Sequence, residues 1–266
     1  MLQDHLGADT ALSVLDEAAT AEQLADWFQR RYGPTAPATQ VRQLAILRSA
    51  CAFWRRRGWL RTDPTAGLER PRVPLDRTKA LTREQIAALR RRDDVALRER
   101  TFWRLLYETA ARANEILALD IEDLDLPNKR ARVTSKGGAT EWVFWQTGAA
   151  LLLPRIVAGR TTGPVFLADR QPTRAVPSMD RCPVTGRARL SYRRAAELFS
   201  ATTGGWTLHQ LRHSALTHAA EDGTNTPMLL ARSRHASVRS LERYARPGPE
   251  AVARHVAEHD PARRRH

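Results

Sequence analysis

The chain has 266 residues, more than one average domain needs, and its 42% hydrophobic content suffices for ordinary packed cores. Lys and Arg total 43 against 29 Asp and Glu, a net charge of +14 carried mostly by arginine, which repels itself unless it meets a polyanion. No apolar run is long enough to span a membrane, the first twenty residues lack the apolar stretch of a secretory signal, and Cys51 and Cys182 form no CxxC pair, so a cytoplasmic, nucleoid-associated protein with reduced thiols is expected.

In chain order, helical periodicity starts at Ala21, where Thr20 and Gln23 are placed to form a capping box ahead of Leu24, Trp27 and Phe28. "YGPTAP", Tyr32 to Pro37, breaks that helix. The next helix sets Leu44, Leu47, Cys51 and Trp54 on one face and leaves Arg42, Arg48, Arg55, Arg56 and Arg57 elsewhere. A linker with Pro64, Pro71 and Pro74 follows. Between Arg42 and Arg72 stand eight arginines against Asp63 and Glu69. So few acids cannot pair them, and a face for the DNA backbone is expected.

A second domain begins near Leu81, with a capping box of Thr82 and Gln85 before Ile86 and Leu89. Helices are predicted over about Leu97–Tyr107 and Ala113–Leu119. "RARVTSKGGATEWVFW", Arg130 to Trp145, reads as a β-hairpin around Gly137-Gly138. A helix follows after Leu151, then a Pro- and Arg-rich loop from Thr161 to Arg187. Further helices are predicted over Ser191–Ser200, Leu208–Glu221, Met228–Ala231, Val238–Ala245 and Glu250–Glu258. There is no internal repeat.

The chemistry concentrates in "WTLHQLRHSALTH", Trp206 to His218, where His209, Arg212 and His213 fall within about one helical turn. A zinc reading lacks the Glu that follows the first His of a zincin, because Gln210 stands there. An Arg fork beside an imidazole instead suits two oxygens of a phosphate. His213 and His218, taken singly, also fit interior polar groups. The acids Asp120, Glu122, Asp123 and Asp125 have no metal-cage spacing and read as a solvated turn. The side-chain nucleophiles to weigh are Tyr32, Tyr107, Tyr192 and Tyr244, of which Tyr244 lies nine residues after His235.

Taken together, these residues resemble the tyrosine recombinase (phage integrase) family. "TAARANEIL" supplies Arg112 and Glu115, "VTSKGGATEW" supplies Lys136, "HQLRHSALTH" supplies His209, Arg212 and His213, and "SRHASVRSLERY" supplies His235 and Tyr244, in the family's order. The resemblance spans the whole second domain and reaches the first through "AILRSACAFWRRRGWLRTDPTAGLERPR". It implies a mainly α fold with a small antiparallel β-sheet. Residues 1–75 would form a helical core-type DNA-binding domain, 76–248 a mixed α/β catalytic domain, and 249–266 a protomer-exchange helix and basic tail. The first domain is short for the family, so either Ala11 to Ala19 supplies a further helix or part of the DNA clamp is absent.

The resemblance implies a site-specific recombinase of the integration/excision type, which cuts and rejoins DNA through a 3′-phosphotyrosyl intermediate without metal, ATP or other cofactor. Tyr244 is the expected nucleophile, Arg112, Arg212 and His235 the phosphate-binding groups, His209 the base and Lys136 the acid. Glu115 and His213 support the site, and Arg42, Arg48, Arg55, Arg56 and Arg57 contact DNA. Expected partners are double-stranded DNA, sister protomers in a tetramer on two paired sites, and accessory DNA-bending proteins. The rivals are a catalytically impaired DNA-binding protein of the same fold and a type IB topoisomerase-like enzyme; the helix-forming "PEAVARHVAEHD" suits protomer exchange better than a monomer. Two departures stand out. Ala110 and Arg234 occupy positions where the family usually carries Gly, and their Cβ atoms are expected to disturb a left-handed backbone.

Overall fold

A computed structural model of the chain describes residues 7, 10–72, 80–134, 138–235, 237–238, 241, 249–258 and 260. Lys136, Tyr244 and most of the segment expected to be helical over Val238–Ala245 lie outside the described residues. The chain divides into two compact units, Met1–Arg77 and Thr78–His266.

The first unit is built on two helices, α1 (Ala18–Tyr32) and α2 (Pro37–Arg56), after a 3-10 turn at Leu12–Asp16. The expected capping box at Thr20 does not form. Ala18 and Ala19 are strong helix formers and carry the helix back to an N-cap at Glu17, so Thr20 sits buried inside it. Pro37 opens α2 at a position where its missing N–H costs nothing. Leu15, Leu24 and Leu60 make one buried cluster; Phe28, Leu44 and Leu68 make another. Asp16 ties the chain end of α2 to the N-terminal turn by accepting the N–H groups of Arg61 (2.9 Å) and Thr62 (2.8 Å).

The second unit is mainly helical. The Thr82–Gln85 capping box forms as expected and starts α3 (Arg83–Arg90). Helix α4 (Leu97–Thr109) is the hub, with Phe102, Trp103, Leu105 and Leu106 buried. Helix α5 (Ala113–Leu117) ends two residues short of expectation, because Leu119 already pairs with Val165 across a loop. Strands β1 (Leu124–Asp125), β2 (Arg130–Thr134) and β3 (Thr140–Phe144) form a three-stranded antiparallel sheet in the order β1-β2-β3. The hairpin was legible in the sequence; the two-residue β1 is too short to leave a pattern. Ala131, Val133 and Val143 face the core, and Arg132 and Trp142 face outward. Because Val133 pairs with Glu141, Glu141 stands on the core-facing side of the sheet.

Helix α6 (Thr147–Val157) begins ahead of Leu151, its expected start. That start is capped from a distance. The buried Glu108 carboxylate on α4 accepts the N–H groups of Gln146 (2.9 Å) and Ala149 (3.1 Å). Then come α7 (Tyr192–Thr203), α8 (Leu208–Glu221), α9 (Thr226–Ser233) and α10 (Pro249–Glu258). Asn225 accepts the Met228 N–H at 2.9 Å, which starts α9 two residues earlier than periodicity alone suggests. Helix α4 packs on α6 and α8, so the start of α8 and the end of α4 share one core. Among the described residues no helix is long and apolar enough to cross a membrane.

Candidate active site

Three chain segments meet around Arg212: the end of α4, the first turns of α8 and the end of α9. Arg212 is only 2% exposed. Its guanidinium donates to the Ala110 carbonyl, at the C-cap of α4, and to the Ser233 carbonyl, the last residue of α9. Both carbonyls belong to helix ends, where unpaired C=O groups carry partial negative charge. That placement helps the interior to tolerate a cation. The guanidinium also lies 3.5 Å from His235 Nε2. The negative charge that crowded cations require is therefore supplied in part by the backbone.

The two departures from the family's glycines bear directly on this geometry. Ala110 (φ 53°) and Arg234 (φ 53°) both keep the left-handed conformation. The expected backbone disturbance does not occur. A left-handed residue with a Cβ costs roughly 1–2 kcal/mol. Here the Arg212 bond to the Ala110 carbonyl and the Arg234 N–H bond to Leu230 O (2.9 Å) hold the two turns in place.

Arg112 and Glu115 form the second half of the constellation. Arg112 is the N-cap of α5, and Glu115 lies one turn on. The Glu115 carboxylate accepts the Arg112 backbone N–H (2.8 Å) and the Arg112 guanidinium (2.8 Å). It also accepts from the Arg234 guanidinium. Burial pushes the Glu115 carboxyl up, but the Arg112 N–H and the two guanidinium groups outweigh it, and its pKa lies below the usual value. The Arg112 side chain is 46% exposed, while that of Glu115 is 6% exposed. Arg112 thus presents a half-open cation on a buried anionic seat. Arg234 reaches further, to Glu141 on β3 at 3.3 Å.

His209 is the second residue of α8 and is exposed. A capping pair the sequence reading missed, Thr207 and Gln210, fixes that first turn, with Gln210 accepting the Thr207 N–H at 2.7 Å. The signal was present in the T-x-x-Q spacing. His213 is buried, with Nδ1 3.1 Å from the Thr217 hydroxyl. His218 is also buried, with Nδ1 2.7 Å from the Tyr107 hydroxyl. Burial pushes that phenol up, so Tyr107 is held as a neutral core residue. Tyr32 packs against Trp27 and Phe28 in the first unit, and Tyr192 opens α7 at the surface.

The four acids after α5 do not form a free cluster. Asp120 pairs with Arg189 at 2.8 Å, Asp125 with Arg130 at 2.8 Å and Asp123 with Arg132 at 3.8 Å, and Glu122 accepts the Gly163 N–H at 3.1 Å. Among the described residues no group of three or more His, Cys, Asp or Glu side chains is placed to hold a metal ion.

In the first unit, Arg42, Arg55, Arg56 and Arg57 are exposed along α2 and just beyond it. Arg55 has a loose partner in Asp63 at 3.8 Å, and Arg57 stacks 5.4 Å over the Phe53 ring. Arg48 donates to the Leu68 carbonyl at 2.7 Å, so it also fastens its own unit.

The sequence reading therefore placed Arg112, Glu115, Arg212 and His235 in what the fold makes one neighbourhood. It missed Arg234, which it treated as a lost glycine, and Glu141, which no local pattern marks.

Comparison with known proteins gives this geometry a context. Residues 79–250 match the Phage integrase family. Tyrosine recombinase XerC of Mycobacterium tuberculosis (strain ATCC 25177 / H37Ra) is 30% identical over 260 residues, covering 92% of this chain and 84% of that protein. XerC of Mycobacterium sp. (strain KMS) is 27% identical over 245 residues, covering 86% and 77%. Among solved structures, the Tn1549 transposon integrase in complex with a circular intermediate DNA superposes with a TM-score of 0.64 at 15% identity, covering 90% of this chain and 85% of that one. The XerH site-specific recombinase bound to palindromic difH substrate gives 0.64 at 16% identity, covering 88% and 68%. At these identities the structural likeness speaks for the fold.

Proposed function

Since the chain belongs to the phage integrase family of tyrosine recombinases, we propose that it binds specific double-stranded DNA sites and exchanges strands between two of them through a 3′-phosphotyrosyl intermediate. The observation that carries this reading is the approach of Arg112 at the start of α5, Arg212 on α8 and His235 just after α9, linked through the Ala110 and Ser233 carbonyls and the Glu115 carboxylate. Such preorganised cations stabilise charge that grows on a phosphate during displacement.

In this mechanism the Tyr244 oxygen forms a bond to the scissile phosphorus, and the bond from phosphorus to the 5′-oxygen breaks. His209 takes the phenolic proton, which a phenol with an ordinary pKa near 10 does not give up readily at neutral pH. Lys136 protonates the departing 5′-oxygen. Arg112, Arg212 and His235 hold the non-bridging oxygens, and Glu115 orients Arg112. The phosphotyrosine keeps the energy of the broken diester, so the reverse attack by a 5′-hydroxyl rejoins strands without ATP. Sister protomers complete the reaction on paired sites. The exposed Val252 and Val256 on α10 suit an apolar groove on a neighbour.

The test is incubation with nicked suicide DNA, in which the 5′-hydroxyl fragment diffuses away and traps the adduct. A covalent protein–DNA band is expected, and it persists in excess EDTA because the cations of this mechanism are side chains. Absence of an adduct with intact DNA binding would favour the non-cleaving DNA-binding protein. Loss on chelation, restored by a divalent ion, would place the chemistry in a metal-dependent class. Relaxation of supercoiled DNA by the monomer, with no exchange between two sites, would favour the topoisomerase-like rival.

The first unit contributes affinity rather than chemistry. Changing Arg55, Arg56 and Arg57 together to Ala is expected to weaken binding to specific and random DNA alike. The slope of log affinity against log salt should flatten by about 0.9 for each phosphate no longer neutralised. Binding titrations across a salt series check this, and an unchanged slope would mean the three arginines serve only solubility.

A further inference from the structure

Among the described residues of the second unit, Arg234 is a cation with a buried side chain that the strand-transfer chemistry does not use. Arg234 directly follows the carbonyl that holds Arg212 and directly precedes His235. Its side chain is only 4% exposed. It contacts two carboxylates from different elements: Glu115 on α5 and, at 3.3 Å, Glu141 on β3. Glu115 seats Arg112. Glu141 lies on the core-facing side of the hairpin, and the paired ends of that hairpin, Thr134 and Thr140, bracket Lys136 in sequence.

We propose that Arg234 is a positioning residue for strand cleavage, tying the Arg112 seat and the paired strands β2 and β3 to the segment that enters His235. This rests on the strand-transfer reading above. A planar guanidinium can serve two carboxylates at once, which an ammonium on a flexible stem does poorly. The Arg234–Glu115 contact is buried on both sides, so releasing it leaves desolvated charge, whereas the Glu141 side chain is 40% exposed and its contact is the weaker arm. The charge balance points the same way. Glu115 faces Arg112 and Arg234 together, so Arg234 neutralises it and leaves the half-exposed Arg112 charge available to a phosphate. Without Arg234, Arg112 alone would face the whole Glu115 charge. The left-handed backbone at position 234 would suit Gly better, and that cost is offset by the contacts only Arg makes.

The test compares Arg234→Gly, Arg234→Lys, Glu141→Gln and the double variant Arg234→Gly/Glu141→Gln. It uses single-turnover cleavage of suicide DNA at saturating protein and half-site binding. Hydrogen exchange of the β3 amides gives a readout independent of catalysis. Arg234→Gly keeps the left-handed turn and should lower cleavage by about tenfold to a hundredfold, as displaced catalytic groups do, with half-site Kd nearly unchanged. Glu141→Gln should lower it severalfold, and the double variant should be no slower than Arg234→Gly alone, because one tie cannot be broken twice. Arg234→Lys should recover only part of the rate. Exchange at β3 should speed up in Arg234→Gly. Cleavage by Arg234→Gly at the wild-type rate, effects of the two single variants that multiply, or unchanged β3 exchange would each overturn the proposal. Should Arg234→Gly fail to fold, Glu141→Gln decides: unaltered cleavage together with unaltered β3 exchange overturns it. A wild-type protein that forms no adduct would instead sink the strand-transfer reading itself, so the two failures are distinguishable.

Discussion

Tyr244→Phe is expected to abolish the covalent protein–DNA adduct, a fall of about 10⁴-fold or more in cleavage, while half-site binding stays close to wild type. Phe keeps the ring and removes only the oxygen that bonds to phosphorus. Of the other tyrosines, Tyr192 is exposed at the start of α7 and two are held by their packing. Tyr107 is pinned in the core with its hydroxyl against His218, and Tyr32 is packed among aromatic rings in the first unit. Denaturing gels of the suicide-DNA reaction give the readout. An adduct formed by the Phe variant at more than trace level would show that another nucleophile is used.

Arg112→Ala and Arg212→Ala are expected to separate catalysis from stability. Each should lower cleavage by about 10²–10⁴-fold, the range for loss of a preorganised charge at a reacting centre. Their stabilities should differ. The Arg112 side chain is 46% exposed and seated on one carboxylate, so its removal should cost under about 1 kcal/mol. Arg212 is buried and holds the carbonyls of Ala110 and Ser233. Its removal strands both acceptors and opens a cavity, with an expected cost of about 2–5 kcal/mol. Urea unfolding midpoints alongside single-turnover cleavage make the comparison. Equal stability of the two variants would mean that the helix-end carbonyls find water when Arg212 is gone.

These expectations come from different levels of the molecule. The order Arg112, Lys136, His209-x-x-Arg212-His213, His235, Tyr244 is a linear fact, and its resemblance to the tyrosine recombinase family implies phosphoryl transfer. The long helices were legible for a related reason. Leu44, Leu47 and Cys51 on α2, or Phe102, Leu105 and Leu106 on α4, repeat at the period of the helix they build. The capping box at Thr82 and Gln85 was legible because both partners sit within one turn. Thr20 misled because a capping spacing has no force when alanines upstream extend the helix past it.

The sequence by itself determined the mainly helical character and the likeness to the phage integrase family, since these depend on periodicity and on motifs in a fixed order. Tertiary structure alone decided what each group is bonded to. The start of α6 is set by Glu108 from α4, and Arg212 is housed by carbonyls from residues 110 and 233. Arg234, in sequence a missing glycine, becomes in the fold a buried bridge between Glu115 and Glu141. Contacts like these join residues up to 119 positions apart and leave no periodic trace. They exist because packing α4, α8 and α9 together removes water from helix ends and charges, and each must then find its partner inside the protein.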